Sequence, residues 1–408
     1  MPYIIIEIEV TQPLPTLSLS ERDIGIALVV RRKDQPIGFV MQALPANSLV
    51  TPEDIAQLIS KELGTKLLQE SIKEELIPPC SQLPLPSLTI AICTKDRPEN
   101  LTRCLQSLLQ LKTPLEKDIQ EWEILVVDNA PSDDRTQTLV ASMPGVRYVQ
   151  EPKPGLDFAR NQALKAAKGE ILAFLDDDVT VDRKWLEGLL EAWRENPDAV
   201  AVTGLVLPYE LETEAQILFE QRGGFRRGFE KIRYYGPTLK GNALYPCGAG
   251  IFGAGCNMAF RREIVLKLGG FDEALDTGAT LPGGGDLDIF YRVIRAGYPL
   301  IYEPQYLVYH QHRREYAKLS HQYWTWGLGF MAFVVKSFQN DPPQRVMLCR
   351  LIGWWLKDML RQLKSSIRGR HVLPPTMLLA ELWGGIVGLF GEYPRSLRRV
   401  EQIRRQFS

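Results

Sequence analysis

Through the middle of this chain, apolar runs of strand length alternate with apolar residues at helical spacing. LTIAICTKDRP at 88–98 is an apolar run that closes in turn residues. ENLTRCLQSLLQL at 99–111 then sets Leu101, Leu105, Leu108 and Leu109 at helical intervals. EWEILVVDNAPSDD at 121–134 is a second strand closing on Asp128, Asn129 and a turn, and VRYVQEP at 146–152 is a short third strand. LDFARNQALKAAKG at 156–169 predicts a helix ended by Gly169, and EILAFLDDD is the fourth strand. Strands alternating with helices predict an α/β domain, with a mostly parallel sheet flanked by helices. Such sheets bind ligands at the carboxyl ends of their strands. Asp96, Asp128, Asp176, Asp177 and Asp178 all fall at such ends.

The pattern changes at both ends of the chain. YIIIEIEV alternates as a strand, and GIALVVRRKDQPIGFVMQAL reads as a hairpin turning at Lys33-Asp34-Gln35-Pro36. TPEDIAQLISKELG at 51–64 predicts a helix capped by Thr51, opened by Pro52 and stopped by Gly64. Residues 1–78 thus form a small α+β unit, 79–87 a Pro-rich linker, 88–340 the main domain and 341–408 a basic helical region. MPYIIIEIEV has no basic leading segment, so it does not read as a signal peptide. VMLCRLIGWWLKDML at 346–360 and TMLLAELWGGIVGLF at 376–390 read as helices, each too short and too interrupted by Arg350, Lys357 or Glu381 to span a bilayer. Residues 341–408 carry 12 Lys+Arg against 5 Asp+Glu, within a chain of net charge −1. Trp, Leu and Phe beside this basic excess fit interfacial helices on an anionic membrane surface. The plainer alternative is docking of amphipathic helices on the main domain. A near-neutral chain gives no argument for nucleic acid. The 6 cysteines lack paired metal spacing and read as free thiols in a reducing compartment.

The chemistry concentrates in FLDDDVTVD at 174–182. Three adjacent carboxylates at the end of a buried strand repel one another and raise each other's pKa. A hard divalent cation relieves that cost, since Mg2+ and Mn2+ prefer oxygen ligands and bridge carboxylates to substrate phosphates. The alternative is an acidic loop with Asp182 capping the next helix. On an extended segment Asp176 and Asp178 share one side; Asp177 points the other way on an ideal strand, but the chain turns here, so its direction stays open.

Five ordered blocks resemble the family 2 glycosyltransferases of the GT-A fold, over about 87–335. They are TKDRPENLTRCLQSL, ILVVDNAPSDD, GLDFARNQALKAAKGEILAFLDDD, FGAGCNMAFRREIVLKLGGFDE and GGGDLDIFYRVIRAGY. The resemblance implies inverting transfer of a sugar from a nucleotide-diphosphate sugar donor to a saccharide or lipid-linked acceptor, with Mn2+ or Mg2+ as cofactor. Asp178, Asp176 and His310 are then the expected metal residues, with His312 and Arg313 as alternatives to His310. Asp96, Asp128, Arg160, Asp176, Asp177 and Asn257 are expected at the donor. Three of these have a structural alternative: a turn at Asp128, a helix start at Asp96, a surface ion pair at Arg160. Asp286 is the expected general base, and the alternative for Asp286 and Asp288 is capping of the following helix. Gly285 stands where the family usually carries an acid. Gln322-Tyr323-Trp324-Thr325-Trp326 has the spacing of the processive enzymes' motif, but Thr325 replaces its arginine, which favours single-sugar transfer. The expected location is the cytoplasmic, inner face of the membrane. Two other classes remain open, a nucleotidyltransferase and a non-catalytic scaffold of the same fold. TKDRPENL lacks the glycine-rich phosphate loop of the first.

Overall fold

The computed structural model describes residues 2–76, 86–111, 121–275 and 281–407, so the linker expected at 79–87 lies almost wholly outside the described residues. In the N-terminal unit, β1 (Tyr3–Glu9) runs parallel to β3 (Gly25–Arg32), and β3 pairs antiparallel with β4 (Gln35–Ala43). Lys33 and Asp34 both have positive φ, 48° and 68°, as a tight two-residue hairpin requires. Two short strands, β2 (Leu17–Ser18) and β5 (Leu49–Val50), pair separately. Helix α1 (Pro52–Leu76) starts as expected, with Asp54 N donating to Thr51 Oγ1 at 3.2 Å and Thr51 N to Asp54 Oδ2 at 2.9 Å. It does not stop at Gly64. A Cβ there would meet nothing within 4 Å, and the later turns are tethered by Lys66 Nζ to Phe229 O at 2.7 Å and Arg32 Nε to Glu74 at 3.0 Å.

The main sheet has nine strands: β6 (Leu88–Thr94), β7 (Trp122–Asn129), β8 (Val146–Glu151), β9 (Ile171–Asp176), β10 (Val179–Val181), β11 (Ala201–Pro208), β12 (Ile232–Tyr234), β13 (Asn257–Arg261) and β14 (Leu300–His310). Its order is β10-β14-β11-β13-β9-β6-β7-β8, with β12 beside β14. Strands β9, β6, β7 and β8 are parallel, as are β11 and β14, while β13 runs antiparallel between the two groups. Helices α2 (Pro98–Leu109) and α5 (Trp185–Glu195) cover one face, burying Leu101, Leu105, Trp185 and Leu189. Helices α4 (Leu156–Ala166) and α8 (Gly285–Arg295) cover the other with Ala159, Ala163, Ile289 and Phe290. Shorter helices α3 (Arg135–Ala141), α6 (Glu214–Gln221) and α7 (Arg262–Lys267) complete the layer. This is the α/β architecture that the alternating pattern predicts.

Helices α9 (Tyr316–Asn340), α10 (Arg345–Ile367), α11 (Pro375–Val387) and α12 (Tyr393–Gln406) follow. Met331 of α9 and Leu348 and Trp355 of α10 enter the same core as α4 and α8. Tyr393 OH donates to Asp272 at 2.9 Å and Arg404 Nε to Glu273 at 3.0 Å. The helices before and after residue 340 therefore pack as one cluster on the sheet. Among the described residues, no helix is long and apolar enough to cross a membrane.

The N-terminal sheet packs on β11 and β14 of this body, with Val29 against Leu205, Leu207 and Leu307. The contact is fixed by a buried arginine. Arg31 pairs with Asp182, and also donates to Glu7 at 3.0 Å, Tyr309 OH at 2.9 Å and Asp34 O at 2.8 Å. Removing one partner of a buried pair leaves the other uncompensated, at a cost of about 3–5 kcal/mol. Arg31→Met is therefore expected to lower stability by about that much in denaturant titration, with Asp182 left as an unpaired buried carboxylate.

Glu381 of α11 gives a second expectation. Burial pushes its carboxyl up to about 7, against the pull of Arg222. A raised folded pKa means stability that is present below the ordinary value of 4.5 and lost as pH rises through about 7. Glu381→Gln should thus match the natural protein's melting temperature near pH 4 and exceed it above pH 7, read by a pH series of thermal melts.

Candidate active site

The carboxyl end of β9 opens into a cavity of about 840 Å³ lined by Asp176, Asp177, Asp178, Arg160, Asp286 and His310, among others. Positive groups converge on the acidic run from three segments. Arg97, at the turn from β6 into α2, lies 2.7 Å from Asp177 Oδ1 and 3.0 Å from Asp178 Oδ2. Arg160 of α4 lies 3.9 Å from Asp176, and Arg313, after β14, lies 3.9 Å from Asp178. Thr94 Oγ1 donates to Asp177 at 2.7 Å. Asp177 faces the same cavity, because β9 ends at Asp176 and the chain turns before β10.

The three carboxyls differ. Burial raises Asp176 to about 6, opposed by Arg160 and reinforced by Asp178. Burial also raises Asp177 to about 7, against Arg97. Asp178 is raised by burial but ends below the usual carboxylate range, because His310, Arg97 and Arg313 favour its ionised form. Burial drives His310 down to about 4, so its ring is neutral at pH 7. Asp178 Oδ1 is buried without a hydrogen-bond partner, and His310 Nε2 lies 3.3 Å from it. An orphaned carboxylate oxygen beside a neutral imidazole suits a hard cation with few protein ligands. Among the described residues no three His, Cys, Asp or Glu groups form a closed cage, so further ligands would come from substrate or solvent.

Asp286 faces the cavity from the first turn of α8. Its Oδ2 accepts from Gly255 N at 3.1 Å and its Oδ1 from Leu287 N at 2.8 Å, which fixes the carboxylate plane. The capping alternative fails for both acids, since Gly284 holds the N-cap position. Asp288 turns inward instead, 1% exposed, and pairs with Arg292 at 2.7 Å and with Lys336 of α9. The departure at Gly285 has a steric cause. A Cβ there would lie 2.1 Å from Oδ2 of Asp157, a fully buried carboxylate that also binds Arg160 at 3.0 Å.

Other expected residues fall elsewhere. Asn257 is 0% exposed and spends its amide on Tyr306 O at 2.6 Å, Leu205 O at 3.3 Å and Trp185 Nε1 at 3.1 Å. It sits beneath the site, since β13 turns that side chain into the sheet core. Asp128 is buried at the end of β7, accepting from Tyr148 OH at 3.0 Å, and burial raises its pKa. Its Oδ1 has no hydrogen-bond partner. Asp96 sits beside it at positive φ, 53°, accepting from Ser132 N at 2.9 Å. Neither lines the cavity, whereas Asn129 next to Asp128 does. Arg97 and Arg227 are cavity residues that the motifs did not single out; both sit in short loops, where no periodicity marks a facing direction.

The model of Glycosyl transferase family 2 matches residues 89–269. A glucosyl-dolichyl phosphate glucuronosyltransferase of Haloferax volcanii is 25% identical over 275 residues, 64% of this chain and 77% of that protein. The succinoglycan biosynthesis protein ExoM of Rhizobium meliloti is 30% identical over 223 residues, 53% of this chain and 64% of that one. A mannosyltransferase structure from Pyrobaculum calidifontis, in complex with GDP-Man and Mn2+, superposes over 84% of this chain and 96% of its own, at 18% identity and a TM-score of 0.47. The matched stretch, 89–269, runs from the first parallel strand past β13 and through the acidic end of β9, and over it the chain is similar to the glycosyltransferases of family 2.

Proposed function

We propose that this enzyme is a metal-dependent, inverting transferase that moves a sugar from a nucleoside-diphosphate sugar to a hydroxyl of a lipid-linked or polysaccharide precursor. The observation that carries this reading is that Asp286 and the acidic end of β9 line one cavity. Asp178 and His310 would hold the cation, with Asp176 toward it or the ribose. When bound, that cation would neutralise charge building on the departing diphosphate. Arg97, Arg160 and Arg313 place further positive charge beside the same oxygens. Asp128 and Asp96, at neighbouring strand ends, would read the nucleoside base. Asp286 would take the proton of the acceptor hydroxyl as that oxygen attacks the anomeric carbon from the face opposite the nucleotide. One displacement inverts the centre. The names of the two sequence relatives, one acting on a dolichyl phosphate and one in succinoglycan biosynthesis, support an acceptor of the lipid-linked or polysaccharide kind.

Asp286→Asn tests the base. The isosteric amide keeps one of the two backbone N–H bonds on the carboxylate and sets its own NH2 against the other, so the melting temperature should fall modestly while nucleotide affinity stays near that of the natural protein. Sugar transfer should fall by about 10²–10⁴-fold. Transfer within a few-fold of normal would remove Asp286 from the reaction.

The same reading places the protein on an anionic membrane surface through its C-terminal helices. Trp354 is 52% exposed, Trp383 61% and Phe390 74%, on a segment with 12 Lys+Arg against 5 Asp+Glu. Because these helices also build the core, point changes test the idea better than truncation. The natural protein should sediment with phosphatidylglycerol vesicles, less so at high salt. A Trp354→Glu, Trp383→Glu double variant should remain mostly in the supernatant; equal sedimentation would exclude this surface.

A further inference from the structure

The cavity at the acidic strand end carries more positive charge than its carboxylates use. Arg97, Arg160 and Arg313 each face an aspartate of the run 176–178. Arg227, on the loop after α6, lines the same cavity and has no ion pair among the described residues. Its side-chain bonds all go to main-chain carbonyls: Nε donates to Gly250 O, and Nη1 to Phe225 O and Arg226 O, both at 3.1 Å. Among the described residues Nη2 has no partner. Burial pushes the guanidinium's pKa down, while Tyr302 and then Asp286 push it back up. An arginine nevertheless stays charged at any working pH. A half-buried charge with no acid beside it is costly, and three carbonyls hold this one still. Lys95 and Arg399 also line the cavity without an ion pair among the described residues, but no side-chain hydrogen bond fixes either of them.

Two contacts put Arg227 on the acceptor side. Gly250, which accepts from Nε, begins the short stretch that ends at Gly255, whose N–H donates to Asp286 Oδ2 at 3.1 Å. The guanidinium and the expected base are thus anchored on one segment. Phe225, whose carbonyl accepts from Nη1, packs on Trp326 of α9 with ring centroids 5.7 Å apart. Trp326 and Phe330 of α9 and Trp355 of α10 form an aromatic part of the cavity wall. A ligand lying between Asp286 and that wall has a fixed cation and aromatic rings to contact. An oxyanion joined to an apolar chain offers the matching pair of groups. We propose that Arg227 binds the phosphate of a lipid-linked acceptor, whose chain lies along Trp326, Phe330 and Trp355 while its sugar hydroxyl meets Asp286. This inference rests on the reading above, in which Asp286 marks the acceptor side, and it commits to the acceptor's anionic group, which that reading leaves open. The donor's phosphates have Arg97 and Arg313 beside Asp178 instead.

The test uses the full chain in EDTA, so that no phosphate is held through a metal. The probes are farnesyl phosphate and farnesol, with glucuronate as an oxyanion from an acidic sugar. By calorimetry the natural protein should bind farnesyl phosphate about 10–100-fold more tightly than farnesol, the range that charge-assisted hydrogen bonds supply. In Arg227→Gln that preference should largely vanish, while affinity for GDP or UDP, titrated separately with Mn2+, is kept. Arg227→Lys keeps the charge but loses the fork, so it should fall between the two. A natural protein that binds farnesyl phosphate no better than farnesol overturns the proposal. So does a folded Arg227→Gln that keeps the preference, that loses nucleotide affinity instead, or that loses glucuronate binding alone. If neither variant folds, a crystal structure of the natural protein with farnesyl phosphate decides. A phosphate on Arg227 Nη2 supports the proposal, and one on Arg97, Arg160, Arg313 or Arg399 overturns it. A natural protein that binds neither GDP nor UDP removes the donor reading, while the farnesyl phosphate titration still judges Arg227.

Discussion

Three successive aspartates at the end of a buried strand cannot stand without positive charge brought to them. Like charges a few ångströms apart cost kilocalories once they leave water. The fold answers with a guanidinium from each of three separate segments: Arg97 from the first strand-to-helix turn, Arg160 from α4 and Arg313 from beyond β14. Electrostatic need thus knits together parts of the chain some two hundred residues apart. It also leaves an uneven set of carboxyls, with Asp178 firmly ionised and Asp176 and Asp177 drawn toward neutrality. Arg97 is 41% exposed, so water screens its pairs with Asp177 and Asp178.

The strands of the parallel group were legible because each is a short apolar run closing on a turn residue, and the hairpin at Lys33-Asp34 because its turn chemistry is local. The acidic end of β9 was legible because the charge density itself is anomalous. Less readable was anything decided by tertiary direction. Asn257 lies in a block that resembles a donor segment, yet the strand's alternation turns its amide under the sheet. The turn at Asp177 was legible, but not the direction in which that turn aims its carboxyl. Gly64 reads as a helix stop, yet side-chain tethers from outside the helix carry it on to Leu76. Arg97 lies within the TKDRPENL block, but nothing in its spacing shows which way it faces; only the assembled fold brings it to the acidic run.

The C-terminal helices show a related limit. Their composition suggested a separate basic appendage, and their surfaces do expose tryptophans. Their inner faces nevertheless supply Trp355, Glu381 and Arg399 to the cavity wall. Amphipathic helices can bury one side and offer the other, so the two descriptions are compatible.

Gly285 has a consequence for how this sequence can change over time. The carboxylate of Asp157 occupies the volume that a side chain at 285 would need. The two positions are therefore not independent: a side chain at 285 would require the Asp157 carboxylate to shift. Each position sets which residues the other can accept, so substitutions at 157 and 285 should be inherited in pairs.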